Sequence, residues 1–456
     1  MSTVTVTVKE LSDKGEGVAF TDEGQMLFIP DALPGETLTV TVGEPFVRGS
    51  ARSPATAVQL LQAHPERCEP FCEHFGKCGG CALQNLSLNG QHRLKEAQIV
   101  RALESQGLSA ERFIPFRESE LTLPCRFKSI RSFALDESGK VVSGFYRPRS
   151  HEVIAIEHCP LECSWFGDFV HDFTALLNSV TGLKDLALYD ETTGYGRIRH
   201  LVLRDGGLSG ERMAVIVGRD APPRHVKQIL SELALAHHVK LFFAVNDSEG
   251  NDILGEEVSQ LSGEGALTAH LYGRDYKVGP LSFLQVNYEA ASYLYDRAVK
   301  WCAAVGGPGA HAVDLFSGVG TLTLSLSPYF GHVTGVEIVR EAVDCARENA
   351  FLNHVDNVSF IDAPVDTTLP LLGDPALRAV IADPSRRGLG YHPVKALAAL
   401  KGPVRLALIY CSLKPVAREL NTLIGAGYVL KEVEGIDLFP HTLHVETVVL
   451  MSRVKD

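Results

Sequence analysis

The stretch Ala312-Val313-Asp314-Leu315-Phe316-Ser317-Gly318-Val319-Gly320-Thr321 decides how the chain is read. Its first half is an apolar run of strand length, and its second half is a glycine turn. Glycine lets a backbone bend tightly and approach a ligand closely. A helical pattern follows, then a second apolar run at His332–Val336, and seventeen residues past Gly320 stands Glu337. Strand, Gly-x-Gly, helix, strand and acid in that order describe a nucleoside pocket. A carboxylate at the end of the second strand can accept both ribose hydroxyls. The spacing is not Gly-x-Gly-x-x-Gly and no phosphate-cradling lysine follows. A pyrophosphate cofactor is therefore less favoured than S-adenosylmethionine.

Outward from this turn the pattern stays regular. The segment Arg340–Asn353 places Val343, Ala346 and Ala350 on one helical face, and apolar runs recur at Ala379–Ala382, Leu406–Tyr410 and Val445–Met451. A helical stretch follows Pro415. Strand alternating with helix predicts an α/β fold with a doubly wound sheet, its ligand beyond the carboxyl ends of the strands. Asp383, in Asp383-Pro-Ser-Arg-Arg387, ends one such run and would face the same crevice, holding the cofactor or an incoming base. Cys411 ends the next run, in Ile409-Tyr410-Cys411-Ser412, and Glu446 follows the titratable segment Phe439-Pro-His-Thr-Leu-His-Val445.

Upstream, residues 1–60 predict a small β-barrel from short alternating runs (Val4–Val8, Leu38–Val42) parted by turns at Lys14-Gly-Glu-Gly17 and Pro34-Gly-Glu36. Residues 61–265 mix helical and strand patterns in a central α+β domain, and 266–456 hold the doubly wound sheet. The central part opens with Cys68, Cys72-x5-Cys78-Gly-Gly-Cys81. Without a secretory context, such spacing points to a metal rather than disulfides. Zinc and an iron–sulfur cluster both need four ligands, the fourth here being Cys68 or the remote Cys159 before Pro160.

With 456 residues, 45% hydrophobic and 21% charged, the chain has the profile of a soluble globular protein of several domains. No apolar run reaches membrane-spanning length and the opening MSTVTVTVKE lacks a leader pattern, so a cytoplasmic protein with no membrane partner is expected. The net charge of −12 argues against a broad basic surface. Local basic segments, Arg112–Arg149 and Arg197–Arg212, fit a protein that grips phosphates at one place.

Taken together, these signatures resemble the RNA uracil-5-methyltransferases that use S-adenosylmethionine, over essentially the whole chain. The N-terminal barrel looks like the family's TRAM domain, and the last part like its Rossmann-like methyltransferase domain. The Cys-x5-Cys-Gly-Gly-Cys run is similar to the cysteines that hold a [4Fe–4S] cluster in the members acting on 23S ribosomal RNA. The resemblance implies Cys72, Cys78, Cys81 and Cys159 as ligands. Phe283-Leu-Gln285-Val-Asn287 is similar to the motif whose glutamine contacts the cofactor. Phe316, Gly318, Gly320, Thr321, Glu337 and Asp383 fall where other cofactor contacts lie. The ending Phe-Pro-His-Thr-x-His-Val-Glu446 is close to the family signature.

Three positions depart from the pattern: Thr321 stands for an asparagine, Asp-Pro-Ser-Arg for Asp-Pro-Pro-Arg, and Tyr-Cys-Ser-Leu-Lys-Pro for Ser-Cys-Asn-Pro. Matching Pro415 to the usual proline would put Leu413 on the nucleophile. The ungapped register puts Cys411 there and matches Ala417-Arg418-Glu419 to the usual Ala-Arg-Asp. The resemblance then implies a monomeric enzyme that methylates carbon 5 of uracil in structured RNA, ribosomal more than transfer RNA. Cys411 would be nucleophile and Glu446 base, and arginines around Arg126–Arg131 and Arg197–Arg204 would hold the RNA. The rivals are a methyltransferase of the same fold acting on another atom or on protein, and a non-catalytic iron–sulfur RNA-binding paralogue.

Overall fold

The computed structural model describes residues 3–453 apart from 48–49, 120–122, 180–183, 191–192, 249–252 and 256. The chain divides into two compact units. One holds Met1–Lys95, Phe145–Ile154 and Phe439–His444; the other holds Glu96–Gly144, Ala155–Leu438 and Val445–Asp456.

In the first unit six strands pair in the order Thr3–Thr7, Thr37–Val42, Arg52–Gln62, Met26–Ile29, Gly17–Phe20 and Glu10–Leu11. Alternation places Val6, Leu27, Ile29, Leu38 and Val40 in one small core. The Pro34-Gly35-Glu36 turn has a specific cause. Gly35 takes φ +85°, and Glu36, fully buried, accepts the backbone N–H of Leu33 at 2.9 Å and Arg67 Nε at 2.6 Å.

The second unit is built on an eight-stranded sheet ordered Val358–Asp362, Phe330–Glu337, Gly307–Leu315, Leu377–Ala382, Arg405–Tyr410, Glu446–Ser452, Val429–Ile436 and Arg112–Arg117. The first five strands run parallel, and Glu446–Ser452 runs antiparallel to Arg405–Tyr410. Strand order reverses beside Gly307–Leu315, where open α/β sheets leave a crevice. Leu406, Leu408 and Tyr410 pack against Val416, Leu420 and Leu423 of the helix Leu413–Gly425. Each such leucine contributes roughly 2 kcal/mol by burial. Pro415 is tolerated because it lies in that helix's first turn, where its missing N–H has no intrahelical acceptor.

A further sheet in this unit sets Lys128–Leu135, Ile198–Asp205, Arg212–Gly218, Lys240–Val245 and Glu257–Ser262 side by side over Phe166, Phe169 and Phe173. Here one sequence expectation fails. Arg131 is fully buried and binds the Glu162 carboxylate and the Ile156 carbonyl at 2.5 Å; Arg204 is buried on the carbonyls of Gly279 and Pro280. Arg197 is taken by Asp220 and Asp185, and Arg199 by the carbonyls of Asn246 and Ser248. Arg131 and Arg204 are thus spent inside the protein and cannot reach an RNA, while Arg197 and Arg199 stay partly exposed with these partners. Among the described residues, no helix is long and apolar enough to cross a membrane.

Candidate active site

The glycine turn leaves the strand Gly307–Leu315 through three left-handed residues: Phe316 at φ +70°, Gly318 at +53° and Gly320 at +87°. A phenylalanine seldom accepts that conformation, so the turn is over-determined by its surroundings. Glu337, at the end of the neighbouring strand, supplies the brace. Its Oε2 accepts Gly318 N–H at 3.0 Å, and Oε1 accepts Ile338 and Val339 N–H at 2.8 Å each. A Cβ built on Gly318 would meet open space, whereas one on Gly320 would press on Phe360 and Ala346. Thr321 is buried at the start of the helix Thr321–Leu326. Beside the turn the buried hydroxyl of Ser317 has no hydrogen-bond partner among the described residues. Open space before Gly318 and a partnerless Ser317 hydroxyl fit a bound nucleoside.

Asp314 lies below the turn, fully buried. Thr323 Oγ1 donates to its Oδ2 at 2.6 Å, while Oδ1 has no hydrogen-bond partner among the described residues. Burial pushes its carboxyl up to about 7, opposed by the Thr323 bond and reinforced by the charge of Asp383. Asp383 follows the strand Leu377–Ala382 and accepts from Gln285 Nε2 at 3.2 Å. Burial pushes it up to about 6, the Gln285 bond opposing. Gln285 is itself buried, two residues before Asn287, which caps the helix Tyr288–Ala303 by accepting Ala290 N–H. That helix brings the buried Tyr295 to Gln285. Burial drives the phenol far above its ordinary range, with Asp383 adding.

The sheet register places the last pair. Tyr410 sits opposite Thr447 on antiparallel strands, so Cys411, the next residue of one, and Glu446, the preceding residue of the other, emerge at the same edge. Glu446 is 1% exposed and its Oε2 has no hydrogen-bond partner among the described residues. Burial first, then the charge of Asp383, holds its carboxyl well above the usual carboxylate range, with Arg386 opposing. Cys411 is half-buried. Burial pushes its thiol up to about 12, with Glu446 and Asp383 adding and Arg386 opposing. Leu413 instead begins the following helix.

A brace parallel to that of Glu337 serves this edge. Glu419, buried in the helix Leu413–Gly425, accepts Leu389 N–H and Gly390 N–H at 3.2 Å each and Tyr410 Oη–H at 3.0 Å. It pins the loop that follows Asp383. The structure thus brings Gln285, Asp383, Cys411 and Glu446 into electrostatic contact, with Phe316, Gly318, Gly320, Thr321 and Glu337 around the adjoining turn. The sequence reading passed over Tyr295, Asp314, Ser317, Arg386 and Glu419. Asp314 and Ser317 stand in the deciding stretch itself, and Arg386 in the Asp-Pro-Ser-Arg run.

The cysteine run lies in the first unit and Cys159 in the second. Cys72, Cys78, Cys81 and Cys159 are each partly exposed, and Gly80 N–H points at Cys78 Sγ, 3.3 Å away. Backbone donors of that kind suit a thiolate bound to iron or zinc. Yet among the described residues no three Cys, His, Asp or Glu side chains are gathered to hold a metal ion. The donors fit a metal in kind. The segment after the run does a structural job: Ala82 and Leu83 N–H donate to His441 O at 2.9 and 3.0 Å, and His441 N–H donates to Gln91 Oε1 at 2.9 Å. The titratable signature Phe439–His444 is therefore fastened to its own unit, by Lys95 on Phe439 O as well.

A doubly wound sheet with a glycine turn and an acid at the end of the second strand is the arrangement expected of a nucleoside-binding α/β protein. Residues 1–44 match the TRAM domain, and residues 270–367 match the tRNA (uracil-5-)-methyltransferase family. An RNA methyltransferase of Halalkalibacterium halodurans is 32% identical, over 98% of this chain and 96% of the relative. One from Caldanaerobacter subterraneus subsp. tengcongensis is 31% identical over 98% of each. The tRNA (uracil-54, C5)-methyltransferase of Pyrococcus abyssi, solved with S-adenosyl-L-homocysteine, shares the fold at a TM-score of 0.71 and 23% identity, covering 98% of this chain and 100% of that one. The chain belongs to the TRAM-containing RNA (uracil-5-)-methyltransferase family.

Proposed function

We propose that this enzyme methylates carbon 5 of one uridine in structured RNA by covalent catalysis, with Cys411 as nucleophile and Glu446 as base. The observation that carries the reading is the edge where both leave paired strands, Glu446 buried with an unpartnered carboxyl oxygen. Gln285, Phe316, Gly318, Gly320, Thr321, Glu337 and Asp383 would hold S-adenosylmethionine, which would supply an electrophilic methyl group. Carbon 5 of uracil is a poor nucleophile, and the protein's task is to change that. The Cys411 thiol passes its proton to water, and the thiolate sulfur forms a bond to carbon 6. The ring's double-bond electrons move onto carbon 5 and the carbonyl, making an enolate. Once carbon 5 bears the methyl group, Glu446 takes the remaining proton from it. Those electrons restore the double bond as the Cys411 thiolate leaves. A carboxyl held above its ordinary range is a stronger base than an exposed one. The uridine must lie in a loop or be flipped out, because these atoms are stacked inside a helix.

Ribosomal RNA, 23S in particular, is proposed as the substrate from the cysteine run. Mass mapping of 5-methyluridine in ribosomal and transfer RNA from a deletion strain decides between the two. The [4Fe–4S] cluster on Cys72, Cys78, Cys81 and Cys159 is proposed from their spacing and soft donor chemistry, and no step of the reaction is routed through it. Iron and acid-labile sulfide in anaerobically purified protein test it. For the reaction itself, Glu446→Gln should allow addition and methylation but stall release, so a denaturation-resistant protein–RNA adduct should build up. A variant that turns over normally without adduct would overturn Glu446 as base.

A further inference from the structure

Arg131 and Arg204 are buried, so the cations that meet a polyanion must lie elsewhere. Between Asp383 and Glu419 the chain runs for 35 residues with seven lysines and arginines and no aspartate or glutamate. With 55 acids in 456 residues, about one in eight, such a stretch would ordinarily carry about four. Two of the seven cations, Lys401 and Arg405, stand at the amino-terminal end of the strand Arg405–Tyr410, where Arg405 lies over the Trp301 ring at 4.3 Å. The other five are Arg386, Arg387, Lys395, Lys414 and Arg418. All are exposed, on the loop after Asp383 and on the helices Tyr391–Ala399 and Leu413–Gly425, which pack side by side.

Helical spacing sorts these side chains outward. Val394 and Leu397 of the first helix and Val416, Leu420 and Leu423 of the second enter the core, which leaves Tyr391 and Lys395, and Lys414 and Arg418, as outward pairs one turn apart. Tyr391 is 70% exposed, with the Lys395 ammonium 5.7 Å from its ring centre and the His392 ring edge-on at 5.3 Å. An open aromatic ring among cations suits a stacked base flanked by phosphates. The surface is also tied to the proposed active site. Its loop departs from Asp383, is pinned at Leu389 and Gly390 by Glu419, and passes close to the second helix, where a Cβ on Gly388 would lie 2.7 Å from Pro415 Cβ. Lys414 stands three residues past Cys411.

We infer that this acid-free face carries the RNA strand next to the target uridine, with Tyr391 stacking on an unpaired base and Arg387, Lys395, Lys414 and Arg418 set against phosphates. The inference rests on the proposed RNA methyl-transfer reading for its ligand, and it names residues that the family motifs quoted above do not include. A body of net charge −12 repels a polyanion, so the strand must be gripped where acids are absent. Here that place begins at the two strand ends that bear Asp383 and Cys411.

The test uses the full chain with Arg387→Gln, Lys395→Gln and Arg418→Gln combined, and separately with Tyr391→Ala and Tyr391→Phe. Arg386 is left in place because its charge acts on Cys411 and Glu446. Binding is measured over a range of salt with unmodified transcripts of 23S ribosomal RNA and transfer RNA, and with heparin as a polyanion without bases. Calorimetry with S-adenosylhomocysteine runs in parallel. The triple variant should bind the transcript that the parent prefers at least about tenfold more weakly at low salt, with a salt slope smaller by about three, one for each lost charge. Tyr391→Ala should weaken RNA binding by about fivefold or more with the slope unchanged and heparin binding intact, and Tyr391→Phe should retain the parent's affinity. Affinity for S-adenosylhomocysteine should stay within about twofold throughout. An unchanged salt slope in the triple variant overturns the inference. Parallel loss of RNA and S-adenosylhomocysteine would mean a structural role and overturns it too, and equal loss of RNA and heparin in Tyr391→Ala overturns the stacking. Binding needs no turnover, so a parent protein that bound RNA but formed no 5-methyluridine would defeat the proposed function and leave this test intact.

Discussion

The glycine turn and the thiol edge stand at the carboxyl ends of two parallel strands of one sheet and are built on opposite principles. At the turn, one carboxylate is saturated: Glu337 accepts three backbone N–H groups and holds a left-handed phenylalanine and glycine in place. At the edge, another carboxylate is starved: Glu446 is buried with an oxygen that bonds nothing among the described residues, beside a thiol and a second raised carboxyl. A saturated acid contributes to folding, whereas a starved one costs stability and keeps its lone pairs for chemistry. The two halves should therefore respond in opposite directions when their acids are removed.

The largest effect is expected at the sulfur. Cys411→Ala should lower methyl transfer by about a thousandfold or more, since a missing nucleophile cannot be replaced by its neighbours. Affinity for S-adenosylhomocysteine should stay within about threefold, because the turn is untouched. Appreciable turnover by this variant would erase the distinction between the halves. The pH dependence follows from the same burial. A thiol pushed up to about 12 is protonated at neutral pH, so single-turnover rate should rise with pH through the alkaline range. A flat profile would contradict it.

Removing the acids tests the comparison directly. Glu337→Ala deprives three N–H groups of their acceptor, so the protein should lose about 2 kcal/mol of stability and bind S-adenosylhomocysteine at least tenfold more weakly, roughly. Glu446→Gln should do the reverse for stability. The folded state holds this carboxyl above its unfolded value, so its favourable contribution is complete below the ordinary glutamate pKa and is lost as pH rises through the folded one. A glutamine does not ionise. The variant should melt higher than the parent by a margin that is small at pH 4 and grows to about 1–2 kcal/mol above neutrality. Thermal denaturation across pH would show both signs, and equal destabilisation by the two substitutions would defeat the contrast.

The two halves were also unequally legible in the sequence. The turn reads out because its chemistry is local: an apolar strand, Gly318, Gly320 and Glu337 fall in one period of strand and helix. The predicted runs at Ala379–Ala382, Leu406–Tyr410 and Val445–Met451 lie within a residue or two of the observed strands for the same reason. The edge depends on pairing between distant segments, and no local pattern announces that Tyr410 will face Thr447. Arg112–Arg117 gives no period-2 signal, yet it completes the sheet by pairing in parallel with Val429–Ile436. Charge clusters misled, because Arg131 and Arg204 turned inward to Glu162 and to backbone carbonyls. Composition counts charges but not what they face.

The smallest effect sharpens the comparison most, because it asks whether the edge also contains a saturated part. Glu419 accepts two loop N–H groups and the Tyr410 hydroxyl, much as Glu337 accepts three donors at the turn. Tyr410→Phe deletes one donor and leaves a ring of nearly the same shape. The carboxylate keeps both backbone bonds, so the loss should be about 1 kcal/mol, a melting shift of a few degrees at most. Tyr410 immediately precedes the proposed nucleophile, and any loosening there is transmitted along one peptide bond to Cys411. The variant should therefore lower kcat by a few-fold, roughly, with KM unchanged, since substrate is bound by other elements. Glu419→Gln, which weakens all three bonds together, should reproduce that split with a larger drop. A change in KM alone would assign Glu419 to the binding half of the crevice and move the boundary drawn here.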